Sequence, residues 1–291
     1  MSLTSSMYTG VSGLLADANA LNVEGNNLAN VNTVGFKGGK TLFSTMLSST
    51  IGNNAQVGNG VQVQAVQTQF GAGSYQSSTN VTDLAIQGSG FFALAAPTAT
   101  SATAATAYYT RAGSFSVNST NNLVNPDGYK VIDTAGNAIQ FAPTVAGPPL
   151  LTFQKVSGID ANGNISLLYA DANGNTSTLY YAGAPGGVPA APAATTAGAV
   201  KIAEVIVPNP AGMSAQAGTL FTLTTASGTP AALTSANGTS EKLLSNELEA
   251  SNVDLGTELV NMLTTQRAYS ANSKTITTAD QMTQTVLGLV Q

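Results

Sequence analysis

Residues 3–37 read LTSSMYTGVSGLLADANALNVEGNNLANVNTVGFK. Apolar side chains recur in this stretch at a seven-residue interval, at Met7, Leu14, Leu21 and Leu28. The positions four residues after the first three of these carry Val11, Ala18 and Gly25. Spacings of seven and four place side chains on one side of an α-helix and are typical of a coiled-coil seam. The pattern predicts a helix from about Leu3 to Asn30.

This N-terminal helix is weak by itself. Gly10, Gly13 and Gly25 each cost it about 1 kcal/mol relative to Ala. The following residues, 26–35, are rich in Asn and close with Gly, which favours left-handed backbone and local side-chain hydrogen bonds. We therefore expect the helix to end within 29–31.

A second stripe of the same period lies near the C-terminus. It comprises Leu248, Leu255, Met262, Tyr269 and Ile276, and it resumes at Val290. Its companion positions hold Leu259 and Leu287, and its interruptions are Gln266, Ser273, Asp280 and Thr283. Ser251 followed by Asp254 is a helix-start signal, and Glu258 lies near the positive end of the helix dipole. We expect a helix over about 253–289, with the two terminal helices as partners of each other or of other subunits.

The middle of the chain has the pattern of antiparallel β-structure, because short apolar runs alternate with Gly- and Asn-rich turns. The expected strands lie within 57–75, 81–86, 90–95, 108–117, 123–124, 129–132, 153–156, 165–169, 179–181, 200–207 and 219–225. The predicted fold class is α+β, with the N- and C-terminal helices forming a coiled-coil-like inner domain. The middle of the chain then supplies an antiparallel β-rich outer domain.

The predicted organisation has three parts. Residues 1–35 together with 248–291 form a terminal helical core domain. Residues 36–75 form a connecting turn and β-hairpin segment. Residues 76–247 form the β-rich outer domain, in which 149–198 is a small insertion or loop region.

Composition excludes several classes of function. Charged residues make up 8% of the chain, against about 25% in an average protein, and the net charge is −5. Lys37 and Lys40 are the only close basic pair, so no basic patch could neutralise a row of phosphates, and no nucleic-acid partner is expected. The chain has no Cys and no His, which removes thiolate ligands and most zinc or iron chemistry. No metal site and no cofactor are expected.

The N-terminal thirty residues lack a basic start, a continuous apolar run and a small-residue cleavage site. No window of about 18 uninterrupted apolar residues occurs in the sequence. Neither classical secretion nor membrane insertion is expected.

Two local motifs suggest ligand binding at first sight. Asp-Ala-Asn-Gly-Asn occurs at 160–164 and again at 171–175, but its glycine is fourth rather than sixth and the acidic twelfth ligand of a calcium loop is not a Glu. Asn-Gly between strands is a hairpin signal, so we interpret both copies as turns. Gly88-Ser89-Gly90 resembles a phosphate loop, yet it leads into a strand rather than a helix and is interpreted as a turn or bulge. Without His, Cys or paired acids, an enzyme is not expected.

Segments at both ends and in the middle of the chain resemble a known protein family. Residues 25–37, Gly-Asn-Asn-Leu-Ala-Asn-Val-Asn-Thr-Val-Gly-Phe-Lys, resemble the N-terminal signature shared by bacterial flagellar rod and hook proteins. Residues 83–92 and 109–115 resemble the β-domain of that family. Its C-terminal signature is matched at 251–255, 258–262, 266–269 and 272–274.

Within the family, residues 248–255 are most similar to the hook protein. The segment after Phe43 shows no insertion of the kind that resemblance to the distal rod implies. Hook protein is therefore the first interpretation, the distal rod subunit is the alternative, and a secreted β-rich adhesin is a remote third. Only about fifty residues, 149–198, are available for the additional outer domain of many hook proteins, so we expect that domain to be absent or vestigial.

The resemblance implies a structural subunit that self-assembles into the flagellar hook, a tubular flexible joint that transmits motor torque to the filament. The implied partners are other copies of the chain, the rod and hook–filament junction proteins, the hook cap during assembly and the flagellar export apparatus. The implied location is the hook or basal body of the flagellum, extracellular after export through its channel. The residues expected to form the self-assembly interface are Met7, Val11, Leu14, Leu21, Asn26, Asn27, Leu28, Asn30, Gly35, Phe36, Leu255, Leu259, Met262, Gln266, Arg267, Tyr269 and Ile276.

Overall fold

The computed structural model describes residues 3–47, 49–50, 56–146, 149–184, 189–196, 199–230, 232–235 and 241–289. Within these ranges the chain begins with helix α1 (Leu3–Ala29), ends with helix α2 (Leu255–Leu289) and has antiparallel strands between them. The predicted α+β class is therefore confirmed. Residues 1–2 and 290–291, which the prediction included in the terminal domain, lie outside the described residues.

The strands are short. They are β1 Gly39–Thr45, β2 Ser49–Thr50, β3 Gln56–Val57, β4 Val61–Thr68, β5 Tyr75–Ser77, β6 Leu84–Gln87, β7 Phe91–Ala95, β8 Tyr108–Thr110, β9 Ser116–Val117, β10 Leu123–Val124, β11 Lys130–Val131, β12 Thr144–Val145, β13 Leu151–Ile159, β14 Ile165–Ala170, β15 Thr176–Tyr180, β16 Glu204–Val205, β17 Ser214–Ala215, β18 Leu220–Thr222, β19 Lys242–Ser245 and β20 Glu247–Glu249.

The chain divides into two compact units. The first, the helical unit, contains residues up to 32, 37–70 and those from 253 onward. In it α1 contacts α2 and also the antiparallel pair β1–β4. Gly10 lies next to Ile276, whereas Asn27 contacts Glu258, so the two helices run antiparallel.

Two glycines permit a close approach of the helices. A Cβ at Gly13 would lie 2.5 Å from Nδ2 of Asn272, and a Cβ at Gly10 would lie 3.0 Å from Cγ1 of Ile276. The nearest of these atoms belong to side chains of α2, so a larger residue at either position would force Asn272 or Ile276 to shift. The glycines that weaken α1 in isolation are thus the residues that let α2 approach it.

The second unit, the β-unit, contains residues 33–36 and 71–252. Its main sheet has the strand order β17-β18-β8-β7-β11-β10-β9, with β16 also paired to β7. A second sheet has the order β12-β13-β14-β15, and the pairs β6–β19 and β5–β20 join the last strands of the unit to its first. Its fully buried side chains include Leu84, Phe91, Phe92, Leu94, Tyr109, Leu123, Ile132, Ile139, Phe141, Ile165 and Tyr169.

The sheet β12–β15 shares this core. Val156, Ile165 and Leu167 belong to the same buried cluster as Leu84 and Phe92. The ring of Phe153 stacks on that of Phe141, with centroids 5.3 Å apart. The described residues of 149–198 are therefore built into the β-unit.

Both Asp-Ala-Asn-Gly-Asn motifs form turns, as predicted. Residues 160–164 join β13 to β14, and 171–175 join β14 to β15. In each, Oδ1 of the Asp accepts backbone N–H bonds from the two Asn residues, and the Gly has a φ of +84°. The side-chain hydrogen bond from Asn175 is the main cause that lowers the pKa of Asp171.

Several predictions about the C-terminal segment need correction. Helix α2 begins at Leu255, because Oδ1 of Asp254 accepts the N–H of Thr257 at 2.7 Å; Asp254, rather than Ser251, is therefore the N-cap. The hydrogen bond from Thr257 also lowers the pKa of Asp254. Leu248, the first member of the predicted stripe, lies in β20, whose pairing with β5 overrides the helical spacing. Neither β19 nor β20 was expected.

Candidate self-assembly interface

The contact face between the two helices is defined by packing and by hydrogen bonds. On α1 it comprises Gly10, Gly13, Asp17, Glu24 and Asn27. On α2 it comprises Glu258, Thr265, Asn272 and Ile276. The intervals are three, four or seven residues on both helices, as expected for one side of a helix. These contacts involve glycines, polar side chains and Ile276, and the small residues Ala16, Ala20 and Ala279 of the same two helices are buried.

This contact face differs from the predicted seam on α1. Val11, Leu14 and Leu28 each come one position after a residue of the contact face. One position corresponds to a rotation of about 100° around the helix axis. Met7, Leu14, Leu21 and Leu28 are accordingly half-buried, and Val11 is 41% exposed. The prediction chose the large apolar residues, whereas close packing selects the glycines one position earlier.

On α2 the predicted residues divide into two groups. Met262 and Ile276 are half-buried. Leu255, Leu259 and Tyr269 are 49%, 43% and 41% exposed. Gln266 and Arg267 are also exposed.

The exposed apolar residues of α2 form an ordered surface. Leu255, Leu259 and Leu263, the leucine stripe, recur every four residues and are all more than 40% exposed. Met282 and Val286, each 52% exposed, are four residues apart further along the helix, and Val260 and Leu287 are exposed as well. Helix α1 has its own exposed apolar side chains, namely Tyr8, Val11 and Leu15. Exposed large apolar side chains on both helices make these surfaces candidates for an interaction site.

Three polar contacts of the described residues cross the contact face, and one of them joins Asn27 to Glu258. Nδ2 of Asn272 donates to Asp17 at 2.9 Å, and Oγ1 of Thr265 donates to Glu24 at 2.8 Å. Burial raises the pKa of Glu24; the Thr265 bond opposes this, and the charges of Glu258 and Asp17 add to it. These contacts favour one register of the two helices, because a shift along the axis would break hydrogen bonds between partly buried groups.

Asn27 ties α1 to the hairpin of the helical unit. Its side-chain amide bonds Gly39 at both backbone atoms, donating to the carbonyl at 2.8 Å and accepting from the N–H at 2.8 Å. The same amide contacts Glu258 on α2. Asn27 is only 4% exposed, whereas Asn26 is exposed. Asn30 has a different role, because its Nδ2 donates to the carbonyl of Asn26 at 2.9 Å and so satisfies a group at the helix end.

Gly35 and Phe36 belong to the β-unit and not to the helical unit. The N–H of Gly35 donates to the carbonyl of Glu249 at 2.8 Å, and the carbonyl of Phe36 accepts from the N–H of Asn252. Gly35 has a φ of +68°, and a Cβ there would lie 2.3 Å from the backbone nitrogen of Ala112. Only glycine fits this position. The structure therefore does not bring Gly35 and Phe36 into one compact unit with the other predicted interface residues.

The sequence reasoning missed a buried ion pair in the β-unit. Nη1 of Arg111 lies 3.3 Å from Oε2 of Glu249, and the two side chains are 4% and 0% exposed. Arg111 also donates to the carbonyl of Gly88 at 2.7 Å and lies over the ring of Phe91 at 5.0 Å. Oε1 of Glu249 accepts the N–H of Gly73 at 3.0 Å. The pair thus links the regions around β5, β6, β8 and β20. In the sequence, Arg111 stood out only as a single basic residue among apolar ones, and nothing indicated that its partner lies 138 positions away.

Other kinds of site find no support in the described ranges. No group of three or more His, Cys, Asp or Glu residues there could hold a metal ion. No helix in the same residues is long and apolar enough to cross a membrane.

Three segments of the chain match known protein families. Residues 7–37 match the family described as flagella basal body rod protein. Residues 85–167 match the flagellar hook protein FlgE/F/G D1 domain, and residues 244–289 match the C-terminal family of flagellar basal body rod FlgEFG proteins. The first segment contains most of α1, the third contains all of α2, and the second lies in the β-unit. These matches and the fold define a flagellar axial protein.

Curated relatives extend the match over nearly the whole chain. The flagellar basal-body rod protein FlgG of Bacillus subtilis is 34% identical over 297 residues, covering 98% of each chain. FlgG of Borreliella burgdorferi is 32% identical, covering 95% of each. The flagellar hook protein FlgE of Borreliella burgdorferi is 37% identical over 158 residues, which is 45% of this chain and 34% of the hook protein. This chain belongs to the bacterial flagellar rod and hook family and is a structural subunit of the flagellum.

Asn27→Ala removes the amide that bonds both backbone atoms of Gly39. Two buried hydrogen bonds are lost, so we expect local destabilisation of about 2 kcal/mol, or roughly 30-fold faster hydrogen exchange in the peptide that contains Gly39. Mass spectrometry measures this exchange. Asn26→Ala is the matched control, since its side chain is exposed and should leave that exchange unchanged. Equal exchange in the two variants would rule out the assigned role of Asn27.

Arg111→Met leaves the carboxylate of Glu249 buried without a cation, which should destabilise the β-unit by about 3–5 kcal/mol. Combining it with Glu249→Met removes both charges, so the double variant should be more stable than Arg111→Met alone. Urea unfolding followed by tyrosine fluorescence measures both, and Glu247→Met, on the same strand but half-exposed, should change stability by less than about 0.5 kcal/mol. An Arg111→Met variant within 1 kcal/mol of the native chain, on the order of experimental scatter, would contradict this account.

Proposed function

We propose that this chain is a subunit of the distal rod of the flagellar basal body, a rigid drive shaft. The proposal rests on the share of the chain that each relative matches. Two rod proteins FlgG match 98% and 95% of the chain, whereas the hook protein matches 45%. The first interpretation from sequence, hook protein, is thus less well supported than its alternative. Residues 149–184, which join the core of the β-unit rather than forming an outer domain, also fit a rod subunit.

Assembly occurs through the terminal helices. In the single chain each helix uses one side to contact its partner helix and leaves apolar side chains uncovered, at Tyr8, Val11 and Leu15 on α1 and in the leucine stripe on α2. Other copies of the chain cover these side chains in the polymer. Burying one exposed leucine contributes about 1–2 kcal/mol, so a stripe repeated in every subunit stabilises a helical polymer cooperatively.

The low charge of the chain favours dense subunit contacts. With 9 basic and 14 acidic residues in 291, neighbouring copies repel one another little. The buried Arg111–Glu249 pair links four strands of the β-unit, which supports a unit that transmits torque without deforming.

The partners of the subunit are other copies of itself, the adjoining rod and hook proteins, and the export apparatus that delivers it through the flagellar channel. A cap assists addition at the distal end. The subunit is located in the basal body, beyond the cytoplasm after export.

The hook remains the second candidate, because 37% identity to a hook protein extends over 158 residues. Electron microscopy of polymers grown from the purified full-length chain distinguishes the two functions. A rod subunit forms straight, stiff tubes, and this is the expected result. Curved or flexible tubes would assign the chain to the hook, and absence of tubes at high concentration would overturn both assignments.

Leu259→Asp places a charge in the leucine stripe while leaving the contact face of α1 and α2 unchanged. We expect the concentration needed for polymerisation to rise by about 100-fold or more, which corresponds to about 3 kcal/mol per subunit. Sedimentation measures it, and circular dichroism checks that the β-unit stays folded. Thr264→Asp, an exposed position on another side of α2, is the matched control and should polymerise normally. Normal polymers from Leu259→Asp would contradict the proposed interface.

A further inference from the structure

Two carboxyl groups meet over one turn of the β-unit. The turn is Gly88-Ser89-Gly90, between β6 and β7. Oε1 of Glu241 accepts from the N–H and the hydroxyl of Ser89, each at 3.2 Å, and Oε2 accepts from the N–H of Gly90 at 3.4 Å. The turn thus donates two N–H groups and a hydroxyl group to a carboxyl group of the same protein.

The second carboxyl group belongs to Glu204 on β16. A Cβ at Gly90 would lie 1.9 Å from its Oε1, so it lies directly against the same turn. Glu204 is 2% exposed, and neither of its oxygens receives a hydrogen bond from a donor group of the described chain. An ionised carboxylate in such a place would lack both water and donors, which is strongly unfavourable.

The ionisable groups around the pair do not neutralise it. Arg111, at the end of β8, bonds the carbonyl of Gly88 on the same turn and is already paired with Glu249 on β20. Lys242 follows Glu241 and is half-exposed. The segment that pairs with the backbone of Glu204 contributes Thr234, which carries no charge. A proton is the smallest group that satisfies the oxygens of Glu204.

We propose that Glu204 and Glu241 form a proton-binding site, in which protonated Glu204 donates a hydrogen bond to the carboxylate of Glu241 in the folded β-unit. The site joins three elements that are distant in sequence: the β6–β7 turn, β16 and the start of β19. Loss of the proton places two negative charges side by side and weakens this junction. The stability of the β-unit is therefore coupled to the pH at which the subunit folds and works.

The pKa values of the two carboxyl groups shift in the directions that this geometry requires. Burial raises the pKa of Glu204 from 4.5 to about 8, with the hydrogen bond and charge of Glu241 adding to the effect and Arg111 opposing it. Partial burial acts to raise the pKa of Glu241, but it is lowered because hydrogen bonds from Glu204 and from Ser89 and Gly90 outweigh that effect. The unfolded chain loses the Glu204 proton above pH 4.5, whereas the folded chain keeps it to about pH 8. The stabilisation that Glu204 contributes to the folded β-unit is thus fully present below pH 4.5 and declines as the pH rises to about 8.

Glu204→Gln supplies an amide that donates to Glu241 at every pH. Urea unfolding measures the folding equilibrium constant of the full chain from pH 5 to 9. Over this range the constant of the native chain should fall, relative to that of Glu204→Gln, on the order of 100-fold or more. Glu247→Gln, half-exposed on β20, is the matched control and should keep the native pH dependence. The same pH dependence in the native chain and in Glu204→Gln would overturn the proposal.

Infrared spectroscopy provides a second readout that does not depend on the variant folding well. The native chain at pH 6 should show the C=O band of a buried protonated carboxyl group, and this band should disappear as the pH rises through about 8. Absence of the band at pH 6 would also overturn the proposal.

Discussion

The close approach of α1 and α2 is the constraint on which the proposed assembly depends. Gly10 and Gly13 favour it, since a Cβ at either position would meet the side chain of Ile276 or Asn272. The large apolar residues divide between two environments. The leucine stripe stays more than 40% exposed, whereas Leu14, Leu21 and Met262 are half-buried. The exposed group is the one that the proposed assembly places against other chains.

The β-unit complements this arrangement by being internally complete. Its aromatic core, the Arg111–Glu249 pair and the Glu204–Glu241 site are all formed by residues of 33–36 and 71–252 alone. Five of the charged side chains described in this unit are buried, namely Asp83, Arg111, Asp133, Glu204 and Glu249. A subunit with one self-sufficient unit and one unit with uncovered apolar faces suits a protein that becomes part of a polymer.

The sequence predicted elements better than contacts. Both helices and most strands followed from periodicity, and the turns at 160–164 and 171–175 from Asn-Gly chemistry. The predicted stripe of α1 lies one position after the residues that contact α2, because a seven-residue repeat has the same period whether it faces a partner helix or another subunit. Its role in self-assembly stays a prediction. Strands β19 and β20 were not predicted, and Leu248 was assigned to the helical stripe, because the strands that pair with them lie far away in the chain. Arg111 and Glu249 were unpredictable as a pair for the same reason.

The proposed assembly requires the leucine stripe to be an interface between subunits. A cryo-electron microscopy map of the assembled polymer, at a resolution that shows side chains, would reveal this interface. Leu255, Leu259 and Leu263 should be covered by a neighbouring copy, while Gly10 and Gly13 still lie against α2 of their own chain. A map in which these leucines face water, or in which α1 pairs with α2 through the leucines themselves, would contradict the proposed assembly.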